Sequence, residues 1–374
     1  MNPRYLIFIF CFISVATYAQ SDVDSLDIKI GQMIMVGLDG KSLRGEDSLK
    51  VHLQEGLAGS IIFFEKNIAN TNSASTLKKL SEDLQSISRN RLLIGIDEEG
   101  GLVHRLKSKY GFIDIPSPQY FGKINNYDST FHYADTLSGL LNSLGINLNF
   151  APVVDLANNP DNPVIAKLRR SYSANPDSVA HHAEAFMRAS LQNDVIPVLK
   201  HFPGHGSSDT DSHRGMTDVT DTWQLEEIFP YSSLLSRDVV DAVMSAHIIN
   251  HHLDPDSLPA TLSGKVISGL LRQVMGFDGV VFSDDMQMHA ISKHFGFENS
   301  IYLGINAGLD IFVFANNVYQ SDQKSAREIH RVIRNLVETG QISEERIDQS
   351  YQRIKKLKQK YGIWEKPKIP AITR

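Results

Sequence analysis

Eight apolar runs recur along this chain, and stretches with helical periodicity separate them. The runs occupy residues 33–38, 60–64, 92–97, 147–155, 195–200, 242–247, 280–284 and 310–315. Most are continuous rather than alternating, which is the pattern of parallel strands covered on both faces. Between them, Leu77, Leu80, Leu84 and Ile87 fall on one helical face. Asn175-Pro176-Asp177 supplies a helix cap, a proline at the first helical position and an acid in the first turn. Val332, Leu336, Ile347, Ile354 and Leu357 continue the helical spacing near the end. Eight strand–helix alternations predict an α/β fold, a (β/α)8 TIM barrel formed as a single domain. An open doubly wound sheet is the competing arrangement, but no Gly-rich nucleotide loop follows the first run.

With 42% hydrophobic and 21% charged residues, 374 residues can bury a sizeable core. A formal charge of -6 argues against nucleic acid or an anionic membrane surface as the main partner. Residues 1–19 read as a signal peptide: Arg4 precedes an apolar stretch over 6–15, and Thr17-Tyr18-Ala19 offers a cleavage point before Gln20. An uncleaved anchor is the other reading of this segment. The one cysteine, Cys11, lies inside it, so the processed chain has no thiol, disulfide or cysteine metal ligand. A short amphipathic helix is expected over 22–30, the barrel domain over 20–365, and a frayed tail over 366–374.

In a barrel of this kind chemistry sits at the C-terminal ends of the strands. Reactive residue types collect there: Asp97 with Glu98 and Glu99, Asp155, Lys200 with His201, His247, and Ser283-Asp284-Asp285. The fifth run leads into the densest stretch, Lys200-His201-Phe202-Pro203-Gly204-His205-Gly206, which continues to Asp211-Ser212-His213. In an extended segment Asp211 and His213 point the same way, so a carboxylate can orient an imidazole and raise its basicity. A loop histidine beside a solvated acid would read the same. Asp284 or Asp285 can cap a following helix over 286–291, while the other acid faces a pocket as nucleophile or electrostatic stabiliser. His201, His205 and His213 could instead hold a metal, but no H-E-x-x-H motif or familiar ligand spacing is present.

Taken together, these motifs resemble glycoside hydrolase family 3, and within it the β-N-acetylglucosaminidase branch. The resemblance starts at Lys29-Ile30-Gly31-Gln32-Met33 and continues through Ile96-Asp97-Glu98-Glu99-Gly100-Gly101 and Val103-His104-Arg105-Leu106. It includes Asn149-Phe150-Ala151-Pro152-Val153-Val154-Asp155, Asn162-Pro163-Val164-Ile165 and Arg170-Ser171-Tyr172. The fifth-run motif, Pro259-Ala260-Thr261-Leu262-Ser263 and Phe282-Ser283-Asp284-Asp285-Met286 complete it. Three positions depart from the usual pattern: Glu98 stands where Gln is common, Ser207-Ser208 where Asp-Thr is frequent, and Ser173 where Gly is common.

The resemblance implies that Asp284 is the nucleophile and that Asp211 and His213 form the acid/base dyad. It implies that Asp97, Arg105, Arg170, Lys200 and His201 bind a terminal N-acetylglucosamine. The expected protein is an exported, retaining, exo-acting β-N-acetylglucosaminidase, periplasmic or secreted. Its partner is an N-acetylglucosamine-containing glycan, and no cofactor, metal, nucleic acid or stable membrane insertion is expected. A family 3 exo-β-glucosidase and a non-catalytic glycan-binding barrel remain the alternatives.

Overall fold

The computed structural model of the protein describes residues 25–212, 215–318 and 321–364. The expected signal segment, His213 and the expected tail therefore lie outside the described residues. In chain order the strands are β1 (Ile34–Gly37), β2 (Ser60–Phe63), β3 (Leu93–Ile96), β4 (Leu148–Asn149), β5 (Ile196–Pro197) and β6 (Leu199–Phe202). They continue with β7 (Thr217–Asp218), β8 (Ala242–Ser245), β9 (Ile248–Ile249), β10 (Val280–Phe282) and β11 (Phe312–Phe314).

The order β11-β1-β2-β3-β4-β5 forms one parallel sheet and β10-β8-β6 another. A parallel bridge from Phe282 to Ile311 joins β10 to β11, and β5 runs directly into β6. The two sheets thus close into a barrel with eight strand positions, as the apolar runs predict. The strand residues of β1, β2, β3, β8, β10 and β11 are all buried, because barrel side chains pack inside and helices cover the outside.

Two strands differ from their sequence pattern. The fourth run stops pairing regularly after Asn149, where Pro152 offers no N–H to a ladder. The bridge between Val153 and Lys200, with Val154 N donating to the Lys200 carbonyl at 2.8 Å and Lys200 N to the Pro152 carbonyl at 3.3 Å, keeps this stretch beside its neighbour. The fifth run divides at Val198, whose N–H is shared between Asn149 O (2.9 Å) and Ala151 O (3.0 Å). Its first half pairs with β4 and its second with β8.

The helices follow the predicted faces. Leu77, Leu80 and Leu84 are buried in the helix Ser73–Ile87. The helix Pro176–Gln192 begins at Asn175, whose side chain accepts from Ser178 N, with Pro176 in its first turn. At the N-terminal end of the barrel the helix Leu26–Gln32 packs against the last two helices, Ala326–Glu338 and Glu344–Lys360. Lys358, wholly buried, donates there to Gln32 Oε1 (2.6 Å), Gly59 O (2.9 Å) and Arg91 O (2.8 Å).

Candidate active site

A cavity of about 700 Å³ opens at the C-terminal end of the barrel. Ile62, Met244 and Val313, from β2, β8 and β11, contribute apolar lining, while Asp97, Lys200 and Asp284 contribute charge. Arg105, Arg170, His201 and Glu99 line it as well. Asp97 directly follows β3, Lys200 and His201 lie within β6, and Asp284 stands two residues past β10. The five predicted sugar-binding residues and the predicted nucleophile are therefore brought together.

The charged groups form one network. Lys200 Nζ lies 2.7 Å from Asp97 Oδ1 and 2.8 Å from Glu99 Oε1. Arg170 forks onto Glu99, with Nε at 2.8 Å from Oε2 and Nη2 at 2.7 Å from Oε1. Arg105 Nη2 is 3.4 Å from Asp97 Oδ2. Burial raises the pKa of both acids, but the cations more than offset it. Lys200 and Arg105 hold Asp97 below its ordinary value, and Arg170 and Lys200 hold Glu99 well below. Breaking such a buried pair from one side costs ~3–5 kcal/mol, so Glu99 fixes two of the cavity's donors.

Sequence reasoning names Glu99 among the strand-end acids but gives it no role. It stands in the same Asp-Glu-Glu-Gly-Gly motif as Asp97, but nothing local shows that its partner Arg170 lies 71 positions away.

His201 is oriented by Asp155, which is fully buried. Its Nδ1 is 2.6 Å from Asp155 Oδ2, and Arg170 Nη2 lies 3.2 Å from its Nε2. These partners assign the Nδ1–H tautomer, with Nε2 accepting from Arg170. Burial raises Asp155 while His201 beside it lowers it, and the net direction is down. Asp155 therefore positions His201 from below and does not line the cavity.

Neither Asp284 nor Asp285 caps the following helix, the role the sequence left open to one of them. The helix begins only at His289, after Met288, and Asp285 Oδ1 instead accepts from Gln287 N (3.1 Å) and Ala315 N (3.2 Å). This ties the end of β10 to the end of β11. Asp284 Oδ1 accepts from Asp285 N at 2.7 Å. His247, a strand-end candidate, is buried and supports this turn: its Nε2 donates to Asp285 O (3.0 Å) and its Nδ1 meets Thr261 Oγ1 (2.8 Å).

Beyond β6 the chain forms a loop fixed at its root. His205 N donates to Asp155 Oδ1 (2.7 Å), and Asn162 Nδ2 donates to His205 O (2.8 Å) and Gly206 O (3.0 Å). The His205 ring lies between Ser208 Oγ at 2.7 Å and Ser212 Oγ at 3.2 Å. Burial pushes His205 down to about 4, so it is a neutral packing group. Further along, Asp209 and Thr210 are exposed and Asp211 is half-buried. Asp211 is not among the residues lining the cavity. Among the described residues no three His, Cys, Asp or Glu side chains are arranged to hold a metal ion.

Glu98, the departure from Gln, is buried and does not line the cavity. Its Oε2 accepts from Arg105 N (2.7 Å) and Leu106 N (3.2 Å), which holds the segment that carries Arg105. Burial pushes its carboxyl up to about 7.

Known proteins resemble this chain in sequence and in fold. β-Hexosaminidase A of Pseudoalteromonas piscicida is 32% identical over 323 residues, 81% of this chain and 53% of that protein. β-Hexosaminidase of Xylella fastidiosa strain M23 is 31% identical over 303 residues, 79% of this chain and 86% of that one. The solved structure of a glycoside hydrolase family 3 β-N-acetylglucosaminidase from Paenibacillus sp. str. FPU-7 superposes with a TM-score of 0.84 at 35% identity. That match covers 94% of this chain and 65% of the Paenibacillus one. The chain thus spans about half the length of the Pseudoalteromonas relative and most of the Xylella one. Residues 25–357 match the glycosyl hydrolase family 3 N terminal domain, and since that match takes in every strand and the whole cavity, the chain belongs to glycoside hydrolase family 3.

Proposed function

We propose that the protein is a retaining exo-β-N-acetylglucosaminidase that removes terminal β-linked N-acetylglucosamine from oligosaccharides or peptidoglycan fragments. The observation that carries this reading is the convergence of Asp97, Arg105, Arg170, Lys200 and His201 on one cavity whose rim holds Asp284. Paired carboxylates and cations present both acceptors and donors, which suits the hydroxyls of a neutral sugar. A cavity of about 700 Å³ at one end of a packed barrel admits a terminal residue rather than threading a chain. The names of the relatives support the N-acetylhexosamine specificity.

In this reading Asp284 attacks the anomeric carbon and forms a glycosyl ester as the bond to the leaving oxygen breaks. His213, oriented by Asp211, gives that oxygen its proton. It then takes a proton from water, whose oxygen attacks the anomeric carbon and releases Asp284, so the configuration is retained. An unperturbed imidazole titrates at about 6.5 and can serve in both directions near neutral pH.

Release of 4-nitrophenol from the β-N-acetylglucosaminide, far faster than from the β-glucoside, is the expected result. Faster release from the glucoside would favour the family's β-glucosidases, and release from neither would favour a glycan-binding barrel. The reading includes export to the periplasm or medium, supported by the charged start, apolar stretch and small residues over 1–19. Protein from the native host should begin at or near Gln20. Intact Met1 on cytosolic protein would overturn export.

A further inference from the structure

A buried carboxyl outside the cavity sits directly beneath the loop that carries Asp211. Glu227 lies in the single turn Leu225–Ile228 and is 1% exposed. Its Oε2 accepts from Gly206 N at 2.9 Å. Its Oε1 and the neighbouring Ser207 Oγ are both buried, and Ser207 draws the carboxyl pKa down. The contact is close enough to dictate sequence. A Cβ on Gly204, whose φ is 122°, would meet Glu227 Cβ at 2.6 Å and Oε2 at 2.8 Å. A Cβ on Gly206 would meet Leu156 O at 2.0 Å.

The chain at 204–206 is therefore pressed between the Asp155 and Asn162 side on one face and Glu227 on the other. Each of the three side chains has a distinct task. Asp155 takes the His205 N–H, Asn162 supplies donors to the His205 and Gly206 carbonyls, and Glu227 takes the Gly206 N–H. Without Glu227 the Gly206 N–H would be buried and unpaired, at a cost of ~1–3 kcal/mol unless the loop shifts. Gly206 is joined to Asp211 through buried Ser207 and Ser208, and the His205 ring beside it meets Ser212 Oγ at 3.2 Å, next to Asp211.

We propose that Glu227 is a positioning residue for the catalytic loop, fixing the backbone at Gly206 and through it the placement of Asp211. The proposal rests on the glycosidase reading above for its kinetic consequence, but its structural half stands without it. Burial pushes the Glu227 carboxyl up to about 7, with Ser207 and the Gly206 amide pulling down and Asp155 pushing up. Tyr231, on the helix Phe229–Leu235, is the other ionisable group facing it, and burial and the two acids keep that phenol protonated. The carboxyl oxygen accepts the amide proton in either protonation state, so Glu227→Gln should reproduce the contact and Glu227→Ala should abolish it.

The test measures hydrogen–deuterium exchange of peptides spanning 203–216 in the wild type and both variants, with thermal melts and steady-state kinetics. Glu227→Ala is expected to speed exchange in those peptides, and Glu227→Gln to restore wild-type protection. In kinetics Glu227→Ala should cut kcat on N,N′-diacetylchitobiose, a poor leaving group, by ~10²-fold while KM moves less than about threefold. On the 4-nitrophenyl glycoside its loss should be at least about tenfold smaller, since a good leaving group needs little protonation. Unchanged exchange, or equal losses on both substrates with Gln no better than Ala, would overturn the proposal. Should Glu227→Ala not fold, Glu227→Gln with wild-type melting but faster exchange would also overturn it, since the amide keeps the acceptor. Altered exchange in a protein whose wild type cleaves neither substrate would leave the positioning role standing and remove the glycosidase reading.

Discussion

Lys200 and Lys358 are both buried in this barrel, one at each end, at 2% and 0% exposure. At the C-terminal end Lys200 meets two carboxylates, Asp97 and Glu99, and lines an open cavity. At the N-terminal end Lys358 meets three neutral oxygens, those of Gln32, Gly59 and Arg91. Burial without a compensating anion pushes Lys358 down to about 7. The same side chain thus serves two ends differently. Lys358 ties the last helix to the segments just before the first three strands, while Lys200 orients acids toward a space that a ligand can fill.

The difference predicts that changes at the C-terminal end alter rate and changes at the N-terminal end alter stability. The largest effect is expected at Asp284. Asp284→Ala should lower kcat on the order of 10³-fold or more while N-acetylglucosamine still binds, as read by a thermal shift with the sugar. A fluorinated sugar inactivator should label Asp284. Label on Asp285 instead would reassign the nucleophile.

Next comes the dyad. His213→Ala should cost ~10²–10⁴-fold on substrates with poor leaving groups and less on aryl glycosides, whose second step then stalls and is rescued by azide. Asp211→Asn should show a milder form of the same pattern. Equal loss for all leaving groups without azide rescue would make His213 structural.

Lys200→Met should lose on the order of 10–10²-fold in kcat/KM, the worth of a charged hydrogen bond to a sugar hydroxyl. An effect confined to melting temperature would erase the contrast between the two ends.

The smallest effect belongs to Lys358→Met, which should leave kcat/KM unchanged and destabilise by ~1–3 kcal/mol through its three orphaned acceptors. The unfolded chain binds the Lys358 proton up to about 10.5 and the folded one only up to about 7. Wild-type stability therefore gains from this group as pH rises between those values, and the methionine variant should lack that slope in denaturant titrations.

These two lysines also divide what is local from what is not. The sequence by itself determined the eight strands and where most of them end, because apolar runs and helical spacing are properties of neighbouring residues. It also determined which residue types stand at those ends, and the motifs through which the chain resembles its family. It placed Lys200, Asp97 and Asp284 on one face of the barrel because strand polarity alone requires it. No local pattern distinguishes Lys358, which is buried, from the exposed lysines near it. Only the tertiary structure decided that its three acceptors surround it. Only the tertiary structure decided that Glu99, and not Asp97 alone, holds Arg170 and Lys200, that Asp285 ties two strands together rather than capping a helix, and that Glu227 reaches Gly206. Each is a pairing between distant segments, and hydrogen bonds and ion pairs depend on positions in space that sequence periodicity does not encode.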